Sequence, residues 1–163
     1  MEFIVKDENM TLELGKKLGS LLNKGDIICL NGDLGTGKTH FAKGIAKGLL
    51  IDEYITSPTF NIVNEYTGRL KLYHFDVYRV NDPDEIYAIG FDEYIFSDAV
   101  SIIEWSTFIE ELIPKEHISI NIEKLLDLGM NFRKIVIFIS GLHQPVAQVN
   151  VFTIHKKIFI QKS

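Results

Sequence analysis

IICLNGDLGTGKT, residues 27 to 39, joins a short apolar run to a glycine-rich loop and then to Lys-Thr. Residues 27–30 are uniformly apolar, as expected of a strand buried on both faces. Residues 38–50 place Phe41, Ile45 and Leu49 at fourfold spacing, the period of a helix face. The loop between them matches GxxxxGK[ST], which ordinary residue frequencies produce by chance in a chain this long on the order of once in a few hundred. A preceding strand and a following helix are the context a phosphate loop requires. Glycines let the backbone curl so that successive N–H groups point inward, and the positive end of the helix adds to the cradle.

The remaining pattern sets this unit in a larger sheet. Residues 2–6 read as a short strand. Residues 11–23 read as a helix carrying Leu14, Leu18, Leu21 and Leu22 on one face, ended by Asn23-Lys24-Gly25. Segments 60–66 and 70–78 flank Thr67-Gly68-Arg69 and predict an antiparallel hairpin. Asn81-Asp82-Pro83-Asp84-Glu85 predicts the start of a short helix ending by Gly90. Residues 99–103 predict another buried strand, followed by a helix over 106–113 that Pro114 stops. Segments 117–123 and 134–140 predict two final strands. Strands alternating with helices, plus a hairpin, predict an α/β fold: a phosphate-loop NTPase-like three-layer sandwich with a mixed central sheet.

Composition narrows the function. The chain has 163 residues and 46% apolar content, enough for one domain with a sizeable core, which the reading places at 1–141. Residues 142–163 (LHQPVAQVNVFTIHKKIFIQKS) form a C-terminal extension, expected to be an added edge strand or a disordered, sticky tail. The net charge is −5, but 142–163 hold three lysines and no acid. Residues 1–141 therefore carry 14 basic against 22 acidic side chains, a charge of −8. A body this acidic is not expected to grip nucleic acid by itself. Cys29 is the single cysteine, so no disulfide forms within the chain, and the expected home is a reducing cytoplasm. No apolar run is long enough to cross a membrane, and MEFIVKDEN lacks the plan of a signal peptide.

The loop sets the candidate chemistry. Lys38 is expected to reach the β and γ phosphates, and Thr39 to offer its hydroxyl to Mg²⁺. The metal also needs an acid from a neighbouring strand end, directly or through water. Glu104, ending AVSII, and Asp76, ending LKLYHF, compete for that place and for orienting the attacking water. Asn23-Lys24-Gly25-Asp26 matches the guanine-reading NKxD pattern. It precedes a strand whose four residues span about 13 Å, so it falls at the sheet edge opposite the phosphates. His74-x-Asp76 lacks the further ligands of a zinc site.

GDLGTGKT, then Ser57-Pro58-Thr59-Phe60, then HFDVYR at 74–79, then Ile103-Glu104-Trp105, resemble in order the bacterial TsaE (YjeE) family. The resemblance implies an ATPase that works with TsaB and TsaD in making threonylcarbamoyladenosine, the modified adenosine beside the anticodon of certain tRNAs. It implies ATP and Mg²⁺ as cofactors and only indirect contact with tRNA. Carried over by motif, Asp33, Leu34, Gly35, Thr36, Gly37, Lys38, Thr39 and His40 form the cofactor-binding set that holds the phosphates and magnesium. Ser57 and Thr59 belong to a switch-like segment near the γ-phosphate, although Ser-Pro-Thr is also ordinary turn chemistry. Lys38, Asp76 and Glu104 are the catalytic set, and Thr39 and Glu104 hold the metal. Trp105 either contacts the nucleotide or packs in the core. His40 departs from the family's usual small hydroxyl residue, and the tail runs past its usual end. With only Arg69, Arg79 and Arg133, transition-state charge is poorly neutralised by the chain alone, so slow, partner-activated hydrolysis is expected. A small-molecule phosphate-loop kinase and a non-catalytic nucleotide-gated adaptor are the competing readings.

Overall fold

Asp7 follows the first strand, β1 (Glu2–Val5), and its side chain accepts the Met10 N–H at 2.8 Å, starting helix α1 (Glu8–Gly19). These positions come from a computed structural model, which describes residues 1–58, 61–80 and 82–141. The other elements are β2 (Ile27–Asn31), α2 (Lys38–Gly48), β3 (Val63–Thr67), β4 (Lys71–Asp76), α3 (Pro83–Ala88), α4 (Phe91–Ile95), β5 (Val100–Glu104), a 3₁₀ segment (Ser106–Leu112), β6 (His117–Lys124) and β7 (Arg133–Ser140).

The seven strands form one sheet in the order β1-β7-β6-β2-β5-β4-β3. β2 lies parallel to both β5 and β6, and β4 lies parallel to β5; the other pairings are antiparallel. The sheet is mixed, as expected. Alternation along β2 divides the core. Ile28 and Leu30 join the cluster under α1 and α2, whereas Ile27 and Cys29 join the one formed with Ile86, Phe91, Ile95 and Ile109 on the other face. Helical elements therefore cover both faces, and the three layers are borne out. Burial in the second cluster pushes the Cys29 thiol up to about 11.

Local boundaries differ from the sequence reading for physical reasons. α1 begins at Glu8 rather than 11 because Asp7 caps it, and it ends at Gly19 rather than 23, with Leu22 still buried in the turn that follows. The strand expected over 60–66 starts at Val63, and the one expected over 70–78 spans Lys71–Asp76. Past α3, Gly90 takes φ 73° and opens a second short helix, which buries Phe91 and Ile95 and had no forecast. The helix expected over 106–113 is a 3₁₀ segment interrupted at Ile109 (φ −130°, ψ 27°), where the side chain turns into the core. Thr59, Asn81 and residues 142–163 lie outside the described residues. No described helix is long and apolar enough to cross a membrane.

α1 and α2 pack backbone to backbone. A Cβ at Gly19 would stand 2.2 Å from the Ile45 carbonyl oxygen, and one at Gly44 would stand 2.3 Å from that of Leu12. Such contacts cannot absorb a methyl group without moving a helix. Gly19→Ala is expected to destabilise the chain by about 1–3 kcal/mol in denaturant titration. A midpoint equal to that of the unsubstituted chain would contradict this packing.

Candidate nucleotide-binding site

The chain leaves the C-terminal end of β2, turns at Gly32, and enters α2 six residues later. Gly32 takes φ 143°, and a Cβ there would stand 2.3 Å from the Ile122 carbonyl oxygen on β6. Gly37, at φ 103°, is the helix cap; a side chain would be strained in that conformation. No side chain caps α2. Its first-turn N–H groups have no intrahelical acceptors, which suits them to an anion.

Lys38 closes the loop on itself. Its Nζ donates to the carbonyl oxygens of Gly32 at 2.7 Å and Asp33 at 3.0 Å, and stands 3.7 Å from the centroid of the Trp105 ring. Burial lowers the Lys38 pKa, opposed by the carboxylates of Glu104, Asp76 and Asp33. Two more cations grip the loop from outside: Lys124 Nζ donates to the Leu34 carbonyl at 2.9 Å, and Arg133 Nε to that of Thr36 at 3.0 Å. The Leu34 side chain is itself exposed.

Parity along the strands gathers the acids. On β4 and β5, Leu72, Val100 and Ile102 face α1 and α2, so His74, Asp76 and Glu104 fall on that same side, where α2 begins. Thr39 Oγ1 donates to Glu104 Oε2 at 3.2 Å, and His74 Nε2 donates to Glu104 Oε1 at 2.9 Å. Asp76 is engaged otherwise: Oδ2 accepts from the Ser57 hydroxyl, and Oδ1 accepts the Tyr78 N–H at 3.1 Å. Of the two competing acids, Glu104 is the one joined to Thr39. A threonine hydroxyl and a carboxylate are hard oxygen donors suited to Mg²⁺. Among the described residues no group of three or more His, Cys, Asp or Glu is arranged to hold a metal.

The other forecast residues fall around this centre. Ser57 reaches Asp76, while Thr59 lies outside the described residues. His40 turns away, its Nε2 lying 3.1 Å from the Glu8 carbonyl oxygen. Trp105 takes φ 62°, uncommon for a bulky residue, and lies against Tyr78 at 4.7 Å and Phe108 at 5.8 Å between centroids. Tyr78 and Phe108 are half exposed. Asn23-Lys24-Gly25-Asp26 is a turn in which Asp26 accepts the Asn23 N–H at 2.7 Å. Sequence reasoning weighed His74 only as a zinc ligand, counted Arg133 only among the arginines, and missed Lys124. For His74 the available signal was its place two residues before Asp76 on one strand; the other two act across long separations that leave no local mark.

A mixed α/β sheet with a glycine-rich strand–loop–helix and acids gathered beside its threonine defines a protein of the phosphate-loop class. The chain belongs to the TsaE family: the family model described as threonylcarbamoyl adenosine biosynthesis protein TsaE matches residues 5–131. Proteins named tRNA threonylcarbamoyladenosine biosynthesis protein TsaE are similar to it. The one from Bacillus subtilis is 44% identical over 118 residues, covering 72% of this chain and 73% of its own. That from Treponema pallidum is 39% identical over 127 residues, covering 78% and 94%. The crystal structure of Bacillus subtilis YdiB superposes with a TM-score of 0.76 at 32% identity, covering 96% of this chain and 94% of that one.

Trp105 is the single tryptophan, so its emission reports on Lys38 without a label. Lys38→Ala uncovers the ring face and is expected to shift emission to longer wavelength and increase acrylamide quenching in ligand-free protein. Unchanged emission and quenching would contradict the contact.

Proposed function

We propose that this chain is a magnesium-dependent ATPase that acts with TsaB and TsaD in threonylcarbamoyladenosine modification of tRNA. The observation that carries the reading is the contact of Thr39 with Glu104 at the mouth of the loop, where the metal-bearing phosphates of a nucleotide would lie. Family membership supplies the tRNA-modification context. Residues 1–141 are the nucleotide-binding domain in this reading, and 142–163 an extension.

The loop N–H groups and the start of α2 bind the β and γ phosphates, and Lys38 exchanges its carbonyl partners for phosphate oxygens. Thr39 and Glu104 would hold magnesium, which would supply charge neutralisation at the phosphates. Asp76 lies on the same sheet face and would orient the attacking water, and release of its Ser57 partner would let Ser57 respond to the γ-phosphate. ATP then serves as a timing device for docking on the partners, and tRNA is held by them rather than by this acidic body.

The shortage of cations favours slow turnover alone. Arg69 donates to the Gly19 and Leu22 carbonyls at 2.8 Å each, and Arg133 is committed to Thr36, Met130 and Phe132. An arginine supplied in trans is worth roughly 10³–10⁵ in other phosphate-loop enzymes, so a partner that brings or orders one would accelerate hydrolysis greatly. The same shortage weighs against a small-molecule kinase that neutralises its own transition state.

ATP turnover with magnesium, measured alone and with TsaB and TsaD, tests the reading. Slow turnover alone, strong stimulation by the partners, and loss of both in Lys38→Ala are expected. A chain that neither binds the partners nor responds to them would sink it.

A further inference from the structure

His74 is fully buried, its Glu104 partner nearly so, and the ring makes a single hydrogen bond, through Nε2. Its Nδ1 is buried without a hydrogen-bond partner. A buried acceptor left unpaired costs about 1–3 kcal/mol, so a side chain that merely filled this space would do so better as leucine. The compensation lies at Glu104. Its carboxylate has left water, and its two oxygens take one donor each: Thr39 on Oε2 and His74 on Oε1. An oxygen of a carboxylate only accepts, so the proton of this bond belongs to His74 Nε2.

The two contacts together leave Glu104 little freedom. Rotation of its terminal torsion out of this plane would break both bonds, and only the half-turn that exchanges the two equivalent oxygens restores them. β4 and β5 run parallel with His74 opposite Ile102 and Asp76 opposite Glu104, so the donor comes from a rigid neighbouring strand rather than from a loop. We infer that His74 is the positioning residue for the metal site: its Nε2–H locks the Glu104 carboxylate in the orientation that turns Oε2 toward Thr39 and the magnesium. The inference rests on the nucleotide-binding reading above and extends it to a residue that touches neither nucleotide nor metal. Donors of this kind behind a metal-binding carboxylate typically govern metal affinity by about 10–100-fold.

The substitutions that separate positioning from packing are His74→Gln and His74→Asn. Both are amides. Glutamine carries its N–H to the place of Nε2, whereas asparagine stops short of Glu104. The probe is Mn²⁺ binding to the ADP complex, read by electron paramagnetic resonance, which needs no turnover. His74→Asn is expected to weaken Mn²⁺ binding about tenfold or more, with metal-free ADP affinity unchanged, while His74→Gln stays close to the unsubstituted chain. Equal Mn²⁺ affinity in the two variants overturns the positioning role and leaves the nucleotide reading standing. Absence of Mn²⁺-linked ADP binding in the unsubstituted chain sinks the nucleotide reading itself, and this role with it. The unsubstituted chain gives a second check free of folding effects: long-range ¹H–¹⁵N correlation is expected to show His74 protonated on Nε2. A ring protonated only on Nδ1 overturns the inference.

Discussion

The parallel register of β2 against β5 is the constraint on which the site depends. Leu30 stands opposite Glu104, and the Trp105 N–H donates to the Leu30 carbonyl oxygen at 3.1 Å, so the two strands end together. One then turns at Gly32 into the loop, and the other turns at Trp105 through a left-handed backbone conformation. Their paired ends bring Glu104, 65 positions from Thr39 in sequence, within a hydrogen bond of the start of α2. A slip of one residue in this register would send Glu104 to the opposite face of the sheet, among the partners of Cys29.

Around that junction the charged side chains are held by the loop itself. Lys38 is largely buried, and it is held by two carbonyls, an aromatic face and nearby carboxylates rather than by one close ion pair. In the proposed nucleotide reading these partners would give way to phosphate oxygens with no close buried ion pair to break. Lys124 and Arg133 hold the carbonyls of Leu34 and Thr36 on the far side of the loop. The curl of the backbone is thereby supported by side chains from outside the loop.

Much of this was legible because its signals are local. The run 27–30, the glycine spacing and the fourfold period after Lys38 each act within a few residues, and the alternation of the flanking segments carried the mixed three-layer sheet. The helix boundaries were harder, since the Asp7 cap and the Gly90 break compete with apolar periodicity that continues past both. Both acids were recognised by their places at strand ends, but which of them meets Thr39 and which meets Ser57 showed only in the assembled sheet. His74 was read beside Asp76, two residues along its own strand, although its partner lies on the next strand. Arg133 meets Thr36 across 97 positions, a contact that only the assembled sheet creates.

A crystal structure of the chain with magnesium and a non-hydrolysable ATP analogue tests the central claim most directly. The account predicts the triphosphate inside the loop, Lys38 Nζ moved from the Gly32 and Asp33 carbonyls to the β and γ phosphates, and Thr39 and Glu104 at the metal. An analogue bound elsewhere, or a Lys38 still on those carbonyls with the loop occupied, would contradict it.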